Sequence, residues 1–352
     1  MTDTPVPSGS PSDAADDDVA RRLRAAEPVH ADDETRILPS QTDDDVVRRL
    51  RAAEPVHADD ETRILPSQTD DDVVRRLRAA EPVHADDETR ILPSQADDGV
   101  VRRLRAAGCV FAEDEARLLR AQADGDLLDA LVTRRVAGEP LEHVLGWAEL
   151  AGVRVVVAPG VFVPRRRTTL MVEEATRLAR AATAPRPVVV DLCCGTGAVG
   201  LVVALRTGDV ELHAVDVDPA AVRCAQDNLA RVGGRARTGD LTAGLPHELR
   251  GRVDVVVANV PYVPTDEVRL LPPESRLHEP VTAVDGGPDG LGLVRRVLSE
   301  AASWLARPGH VLVEVAAHQV PDAEQAARAA DLVPRTVRDD DLDAVVLVAS
   351  AR

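Results

Sequence analysis

The second half of the chain alternates apolar runs with amphipathic segments. The runs that are typical of strands cover residues 188–192, 212–216, 253–259, 310–315 and 344–349. Helical spacing of apolar residues is found near 198–206, 219–232, 291–306 and 323–330. Strands of near-continuous valine and leucine are typical of parallel sheets that helices cover on both faces. The pattern predicts a doubly wound α/β domain over residues 187–352.

A glycine-rich turn follows the first predicted strand. Gly195, Gly197 and Gly200 lie in the segment VVVDLCCGTGAVG, residues 188–200, with the spacing of the dinucleotide-binding fingerprint. Glycines let a ligand approach the backbone, and the next helix offers free N–H groups. The same spacing also occurs in turns that bind nothing, so a purely structural turn stays open as an alternative.

An acidic residue ends the next strand. Asp216 lies about 20 residues beyond the glycines, where a carboxylate usually accepts hydrogen bonds from a ribose. Both NAD and S-adenosylmethionine carry such a ribose, so these two motifs leave two classes of cofactor open. We expect Asp218, which precedes Pro219, to cap the following helix instead.

The only tyrosine of the chain, Tyr262, closes the tetrapeptide Asn259-Val260-Pro261-Tyr262. The tetrapeptide ends an apolar run, at the edge where open α/β sheets bind ligands. The Asn259 carboxamide oxygen and the Val260 carbonyl can each accept a hydrogen bond from a substrate amino group. Two acceptors fix the plane of that group and aim its nitrogen, and Tyr262 can stack on it. A proline turn with a packed tyrosine is the structural alternative.

The absence of lysine decides between the two cofactors. Every basic side chain other than histidine is an arginine. The chain therefore lacks the Tyr-Lys pair of many dehydrogenases and cannot form a lysine Schiff base. Methyl transfer from S-adenosylmethionine to a planar nitrogen is favoured over hydride transfer.

A 27-residue repeat fills the first third of the chain. Residues 16–42, 43–69 and 70–96 are nearly identical, and 97–123 is a diverged fourth copy. Near identity indicates recent tandem duplication, because a functional solenoid would usually have diverged end caps. The first three copies are poor in apolar residues and each holds two prolines. We expect this acidic extension, residues 1–96, to be weakly packed or mobile.

Two smaller units are expected between the repeats and the α/β domain. Residues 97–147 have helical periodicity and predict a small helical domain. Residues 148–186 predict a β-hairpin, with strands at 153–157 and 161–163, and then a helix over 168–182.

Composition and charge narrow the partners and the compartment. No run approaches the roughly 18 apolar residues that a membrane span needs, and the N-terminus lacks the features of a signal peptide. We therefore expect a cytoplasmic protein without a membrane partner. The net charge of −18 argues against stable nucleic-acid binding through phosphate contacts. The cysteines have no metal-binding spacing, so neither zinc nor a disulfide framework is expected. They are Cys109, Cys193, Cys194 and Cys224.

Together these motifs resemble the protein N5-glutamine methyltransferases that modify the Gly-Gly-Gln loop of peptide-chain release factors. The resemblance covers residues 97–352 and includes four further segments. They are GEPLEHVLG at 138–146, PGVFVPR at 159–165, HEP at 278–280 and DGGPDG at 285–290. It implies a class I methyltransferase sheet with an antiparallel last strand, and a small helical N-terminal domain that recognises the substrate.

The resemblance also implies roles for individual residues. The loop after the first strand would hold the methionine part of S-adenosylmethionine, Asp216 its ribose, and Asp240 with Leu241 its adenine. The loop residues assigned to the cofactor are Asp191, Cys193, Cys194, Gly195, Thr196 and Gly197. The glutamine side chain of a protein substrate would be held by Asn259, Val260, Pro261 and Tyr262, with Asn259 also beside the cofactor.

Two departures from the family pattern stand out. Pro-Arg-Pro-Glu-Thr-Glu becomes Pro-Arg-Arg-Arg-Thr-Thr at 164–169, which loses both glutamates. Val260 replaces the first proline of the tetrapeptide. Because Val260 precedes Pro261, we still expect an extended backbone and a working loop, although a less rigid one. The changes suggest a diverged branch whose protein substrate need not be a release factor.

Two alternative functions remain open. Methyltransferases of exocyclic amines on nucleic-acid bases share the tetrapeptide, and the run Arg165-Arg166-Arg167 favours such a partner. A protein that has lost catalysis and acts through its acidic repeats is the second alternative. Neither the target protein nor the oligomeric state follows from the sequence.

Overall fold

The computed structural model describes residues 98–352. The three near-identical repeats, and the prediction that they are weakly packed, lie outside the described residues. Within 98–352 the chain forms ten α-helices and nine β-strands. No helix of this part combines the length and the apolarity needed to cross a membrane.

Four short helices precede the first strand. They are α1 (Gly99–Ala106), α2 (Ala112–Gln122), α3 (Gly125–Val136) and α4 (Leu141–Leu145). Asp98 caps α1, because its side chain accepts a hydrogen bond of 2.9 Å from the Val100 N–H. The helices share a small apolar core that includes Leu104, Leu119 and Leu131. This core is separate from the two cores of the large sheet.

The β-hairpin follows these helices directly. Strand β1 (Trp147–Leu150) pairs antiparallel with β2 (Val153–Val156). The turn residues Ala151 and Gly152 have φ of 51° and 82°, as a two-residue hairpin turn with positive φ requires.

The prediction of a hairpin between 153–157 and 161–163 is therefore wrong. The strand 153–156 exists, but its partner is the preceding segment, 147–150. That strand has only four residues and directly follows a helical segment, so the sequence pattern did not reveal it. Residues 161–163 have other partners. The buried His143 ring contacts the Val161 carbonyl at 2.9 Å, and the Val163 N–H donates to Glu279 at 3.2 Å. These contacts pair two backbone groups of 161–163 with side chains, in place of hydrogen bonds to a neighbouring strand.

A seven-stranded sheet forms the main body, in the order β5-β4-β3-β6-β7-β9-β8. Strands β3 to β7 are parallel, and β9 runs antiparallel to both of its neighbours. The predicted doubly wound sheet and its antiparallel last strand are confirmed. The strands are β3 (Val188–Leu192), β4 (Glu211–Asp216), β5 (Arg235–Thr238), β6 (Val253–Ala258), β7 (Leu305–Glu314), β8 (Val333–Asp339) and β9 (Ala344–Ser350).

The sequence pattern did not predict two strands of this sheet, β5 and β8. Both lie at the edges of the sheet, where side chains are only partly covered. Strand β5 reads RART and β8 reads VPRTVRD, so neither forms an apolar run. A proline and charged residues are common on edge strands because one side of the ladder faces solvent.

Helices cover both faces of the sheet. The first face packs on α5 (Thr169–Ala181), α6 (Ala198–Thr207) and α7 (Pro219–Leu229). After the short α8 (Pro273–His278), helices α9 (Gly292–Ala301) and α10 (Val320–Ala329) cover the second face. The parallel strands end at one edge of the sheet, and the loops that follow β3, β4, β6 and β7 meet there.

Candidate active site at the carboxyl edge of the sheet

The loop between β3 and α6 is supported from below by Asp191. This carboxyl group is buried, and one of its oxygens accepts a hydrogen bond of 2.9 Å from the Gly200 N–H. Burial raises the pKa of Asp191 to about 8. The structure thus places Asp191 beneath the loop, where it fixes the first turn of α6.

The three glycines of the loop serve different purposes. A side chain on Gly195, whose φ is 52°, would meet no atom within 4 Å. Gly197 and Gly200 are packed instead: an added Cβ would lie 3.1 Å from Ala225 and 3.1 Å from the Asp191 carboxylate, respectively. Gly195 therefore leaves open space for a ligand, while the other two let α6 pack closely.

The remaining loop residues line or brace this space. Cys193 has a φ of 52°, an uncommon conformation that often marks ligand sites. Burial raises the pKa of its thiol to about 12, so Cys193 stays protonated and contributes a neutral wall. Cys194 and Thr196 are buried. The Cys194 N–H donates to the Val215 carbonyl at 3.1 Å, and the Thr196 carbonyl accepts from Asn228 at 2.9 Å.

Asp216 joins the loops that follow β3 and β4. Its two carboxylate oxygens accept hydrogen bonds of 2.9 Å each, one from the Gly195 N–H and one from the Asp218 N–H. Burial is the main cause of a raised pKa at Asp216. The predicted helix cap at Asp218 is confirmed, because its side chain accepts from the Ala220 N–H at 2.8 Å. Each Asp216 oxygen keeps a lone pair for a hydroxyl group.

The segment after β5 supplies an apolar and a polar side chain, and the segment after β4 supplies a second apolar one. Leu241 is buried and has a φ of 48°. Asp240 is exposed and forms an ion pair of 3.0 Å with Arg296. Val217 was missed by sequence reasoning, although 68% of its surface is exposed. A valine directly after the predicted strand, between Asp216 and Asp218, is the signal in the sequence that could have found it.

The tetrapeptide after β6 lines a cleft of about 500 Å³ together with residues from four other segments. Asn259, Pro261 and Tyr262 are partly exposed. Val260 is only 2% exposed and packs in the core on the α9 and α10 side. The valine that replaces the family's proline is thus held by packing as well as by the following Pro261.

A buried carboxylate at the end of β7 organises the tetrapeptide. Glu314 accepts hydrogen bonds from the Tyr262 hydroxyl at 2.8 Å and from the Thr168 hydroxyl at 2.9 Å. The Asn259 amide NH₂ donates to the same Thr168 hydroxyl at 3.2 Å. Because the Thr168 hydroxyl gives its proton to Glu314, it must accept from Asn259. This series of hydrogen bonds leaves the side-chain amide oxygen of Asn259 as an acceptor for a substrate.

Arg167 completes the surroundings of Glu314 and Tyr262. Its Nε donates to Glu314 at 2.9 Å, and its guanidinium lies 5.7 Å from the Tyr262 ring centroid. Burial and the nearby Glu314 carboxylate raise the pKa of Tyr262 well above its usual range. The Tyr262 phenol therefore stays neutral and cannot act as a base.

Comparisons with known proteins identify the family. The model of the methyltransferase small domain matches residues 152–271. The release factor glutamine methyltransferase of Gloeobacter violaceus is 37% identical over 209 residues, which cover 56% of this chain and 69% of that protein. The chain belongs to the release factor glutamine methyltransferase family.

Other members of this family match comparable lengths. The release factor glutamine methyltransferase of Streptomyces coelicolor is 40% identical over 183 residues. The match covers 52% of this chain and 64% of that protein, just under two thirds. A 4-amino-L-phenylalanine/4-methylamino-L-phenylalanine methyltransferase of Streptomyces pristinaespiralis is 37% identical over 205 residues, with 56% and 68% coverage.

The Asp-Gly-Gly-Pro-Asp-Gly segment of the family packs against the backbone of the tetrapeptide. An added Cβ on Gly290, whose φ is 72°, would lie 2.2 Å from the Tyr262 carbonyl oxygen. On Gly286 it would lie 2.8 Å from the Pro261 carbonyl oxygen. The Tyr262 carbonyl also accepts from the buried Gln319 side chain at 2.9 Å. These close contacts hold the loop from its outer side.

Thr168, Glu314 and Gln319 were not singled out by sequence reasoning. Glu314 carries a usable signal, because it is the one acidic residue in the apolar run VLVEV at 311–315. A charge in a buried strand requires a partner and thus indicates a site. The contacts of Thr168 and Gln319 join segments that are far apart in the chain, which a single sequence does not indicate.

Proposed function

We propose that this chain transfers a methyl group from S-adenosylmethionine to the side-chain amide nitrogen of a glutamine in a protein, with a release factor as the first candidate. The observation that carries the proposal is the hydrogen-bonded chain from Asn259 through Thr168 to Glu314. It presents an amide-accepting oxygen at the carboxyl edge of the sheet, next to the glycine loop. A release factor as substrate would place the reaction in the cytoplasm.

The residues at three strand ends fit S-adenosylmethionine. Gly195 leaves open space above the loop, where Cys193 to Gly197 would hold the methionine part. The Asp216 oxygens would accept from the two ribose hydroxyls, and Val217 with Leu241 would contact the adenine, beside Asp240. When bound, the cofactor supplies an electrophilic methyl group on its sulfonium.

The tetrapeptide would orient the acceptor nitrogen. The Asn259 carbonyl oxygen and the Val260 carbonyl would each accept one N–H of the glutamine amide, which fixes its plane. An amide nitrogen is a poor nucleophile, so correct placement supplies much of the rate. Both acceptors are oxygens and would stabilise positive charge as it develops on the nitrogen. The neutral Tyr262 would pack on the planar amide.

The helices before the hairpin are proposed to recognise the protein substrate. The buried Arg135 of α3 forms ion pairs with Glu115 at 2.7 Å and with Glu274 of α8, in the cleft wall, at 2.6 Å. The connection between α1 and α2 exposes Phe111 by 68% and Val110 by 84%. An exposed aromatic and aliphatic pair on a domain tied to the cleft is suited to contact a partner protein. We propose that 97–147, 148–186 and 187–352 act as three units of one enzyme.

A free amino acid with an aromatic amine is a second candidate acceptor. The observation in its favour is the similarity to the aminophenylalanine methyltransferase. A nucleic-acid base is disfavoured by the cleft. Arg165 pairs with the buried Glu279 at 2.6 Å, and Arg167 with the buried Glu314 at 2.9 Å. Two of the three arginines in the run thus have carboxylate partners and are less available to phosphates.

Labelled S-adenosylmethionine tests the proposal directly. The full chain is incubated with bacterial release factors, with a cell lysate and with 4-amino-L-phenylalanine, and the label is located by mass spectrometry. We expect label on a glutamine side chain of a protein. Label on the aromatic amine alone would favour the second candidate, and no label on any glutamine would refute the first. In Asn259→Ala, cofactor binding by calorimetry should persist while transfer is lost.

A further inference from the structure

We propose that Arg166 recognises a carboxylate of the methyl acceptor, so that the preferred glutamine lies close to an acidic group. The inference rests on the proposed function, because it defines which glutamines the same cleft would prefer. It is carried by the arrangement of charges around the cleft and by the position of Arg166 relative to Asn259.

Four acidic side chains line the cleft, and each of them faces an arginine other than Arg166. Glu279 pairs with Arg165 at 2.6 Å, Glu314 with Arg167 at 2.9 Å and Glu274 with Arg135 at 2.6 Å. The fourth, Asp343, lies close enough to Arg167 to raise the pKa of that arginine.

Arg166 is left without such a partner. Its side chain is exposed and lines the cleft. Within residues 98–352 its guanidinium takes part in no ion pair, hydrogen bond or ring contact. The flanking arginines are held by buried carboxylates, but Arg166 keeps all of its N–H donors for a ligand. A guanidinium offers paired donors that match the two oxygens of a carboxylate.

The position of Arg166 places this charge near the acceptor nitrogen. Arg166 begins the 3₁₀ turn Arg166–Thr168, and Thr168 contacts the Asn259 amide at 3.2 Å. In a 3₁₀ turn, residues two positions apart, such as Arg166 and Thr168, are separated by about 4 Å along the axis. An extended peptide advances about 3.5 Å per residue. The positions to examine first for a carboxylate that meets Arg166 are therefore those within two residues of the glutamine.

A phosphate group is the other anion that Arg166 could bind. The overall charge of the chain is −18, which opposes a polyanion such as RNA much more than it opposes one carboxylate. The paired state of Arg165 and Arg167 also removes the cluster of cations that a phosphate backbone requires. An acidic group on the acceptor is thus the better match.

Synthetic peptides test the inference with the full chain. A neutral glycine-rich peptide with one glutamine is compared with peptides that carry glutamate, or lysine, at each position up to two residues from it. We expect glutamate at one of these positions to raise kcat/KM about tenfold, as expected for a charge-assisted hydrogen bond at a partly exposed site. Arg166→Gln should remove this preference, and Arg166→Glu should transfer it to the lysine peptide.

Arg166→Lys and Arg223→Gln provide matched controls. The lysine keeps the charge and should retain part of the preference, and Arg223 is an exposed arginine of α7 outside the cleft. Free glutamine as acceptor separates an α-carboxylate from a side-chain carboxylate as the recognised group. Equal rates for glutamate and neutral peptides, or a preference that survives in Arg166→Gln, would overturn the inference. Salt-dependent binding of a single-stranded RNA that is lost in Arg166→Gln would also overturn it.

The two proposals fail in different ways. Methylation of the neutral peptide without any preference for glutamate removes the role of Arg166 and leaves glutamine methylation intact. If no peptide, protein or free glutamine is methylated by the wild-type chain, the proposed function fails and the role of Arg166 fails with it.

Discussion

Glu314 accepts a hydrogen bond of 2.8 Å from the Tyr262 hydroxyl, which links the end of β7 to the end of β6. The same carboxylate accepts from Thr168, and Thr168 in turn accepts from Asn259. One buried side chain therefore controls two features of the proposed glutamine site, the orientation of an amide and the position of a ring. In the proposed site Glu314 acts through Tyr262 and Thr168, and so would be a positioning residue.

Replacement of Glu314 by glutamine should lower kcat with little change in cofactor affinity. The new amide can accept from only one side, so either Tyr262 or Thr168 loses its acceptor. A buried hydroxyl without an acceptor costs about 1–3 kcal/mol, and we expect kcat to fall roughly 10- to 100-fold. Steady-state kinetics with calorimetry of S-adenosylmethionine binding checks this. A loss of cofactor affinity equal to the loss of kcat would contradict a positioning role.

Thr168→Val should test the hydroxyl group that connects Asn259 to Glu314. Valine has nearly the same shape as threonine but lacks the hydroxyl, so the Asn259 amide would lose its fixed orientation. We expect kcat/KM for the glutamine acceptor to fall about tenfold, as expected for one lost hydrogen bond. Thr168→Ser keeps the hydroxyl and should stay within about threefold of the wild type. Equal activity of the valine and serine variants would show that the amide is oriented by other contacts.

The sequence predicted the parallel core of the sheet well, because strands such as 188–192 and 253–258 are buried throughout and apolar except for one aspartate each. Edge strands and the hairpin were harder to recognise. Strand β5 is polar, and β1 has only four residues, so their assignment depends on partners that lie far away in the chain. The local sequence pattern identifies strands that are buried on both faces much better than strands that are buried on only one face.

The candidate site shows the same division. Asn259, Tyr262 and Asp216 could be selected because each stands at the end of an apolar strand, where the topology places ligands. Thr168 could not be selected, because its role depends on Glu314, which lies 146 residues further along the chain. The arginine run appeared to be a basic patch in the sequence, yet two of its members face buried carboxylates.

Gly290→Ala should disturb the tetrapeptide from its outer side. A Cβ at this position would lie 2.2 Å from the Tyr262 carbonyl oxygen, and the φ of 72° adds strain. We expect both a lower Tm and a loss of activity, because Tyr262 must move. Gly287→Ala is the matched control. Its φ is 90°, but nothing lies within 4 Å of the added atom, so only backbone strain of about 1–2 kcal/mol is expected and activity should persist.

The buried Asp191 should make stability depend on pH. Its pKa is raised by burial to about 8 in the folded chain, whereas the unfolded value is about 3.9. Between these values the folded state binds more protons than the unfolded state, so the free energy of unfolding decreases as pH rises. The limiting slope is about 1.4 kcal/mol per pH unit for one group.

Asp191→Asn isolates this contribution. The asparagine keeps an oxygen that can accept from Gly200 but does not titrate, so the difference in unfolding free energy between wild type and variant should change steadily from about pH 4 to pH 8. Urea unfolding of both proteins at several pH values measures that difference. We expect the wild type to lose stability relative to Asp191→Asn as pH rises through this range. A difference that stays constant with pH would show that Asp191 is ionised in the folded chain across the whole range.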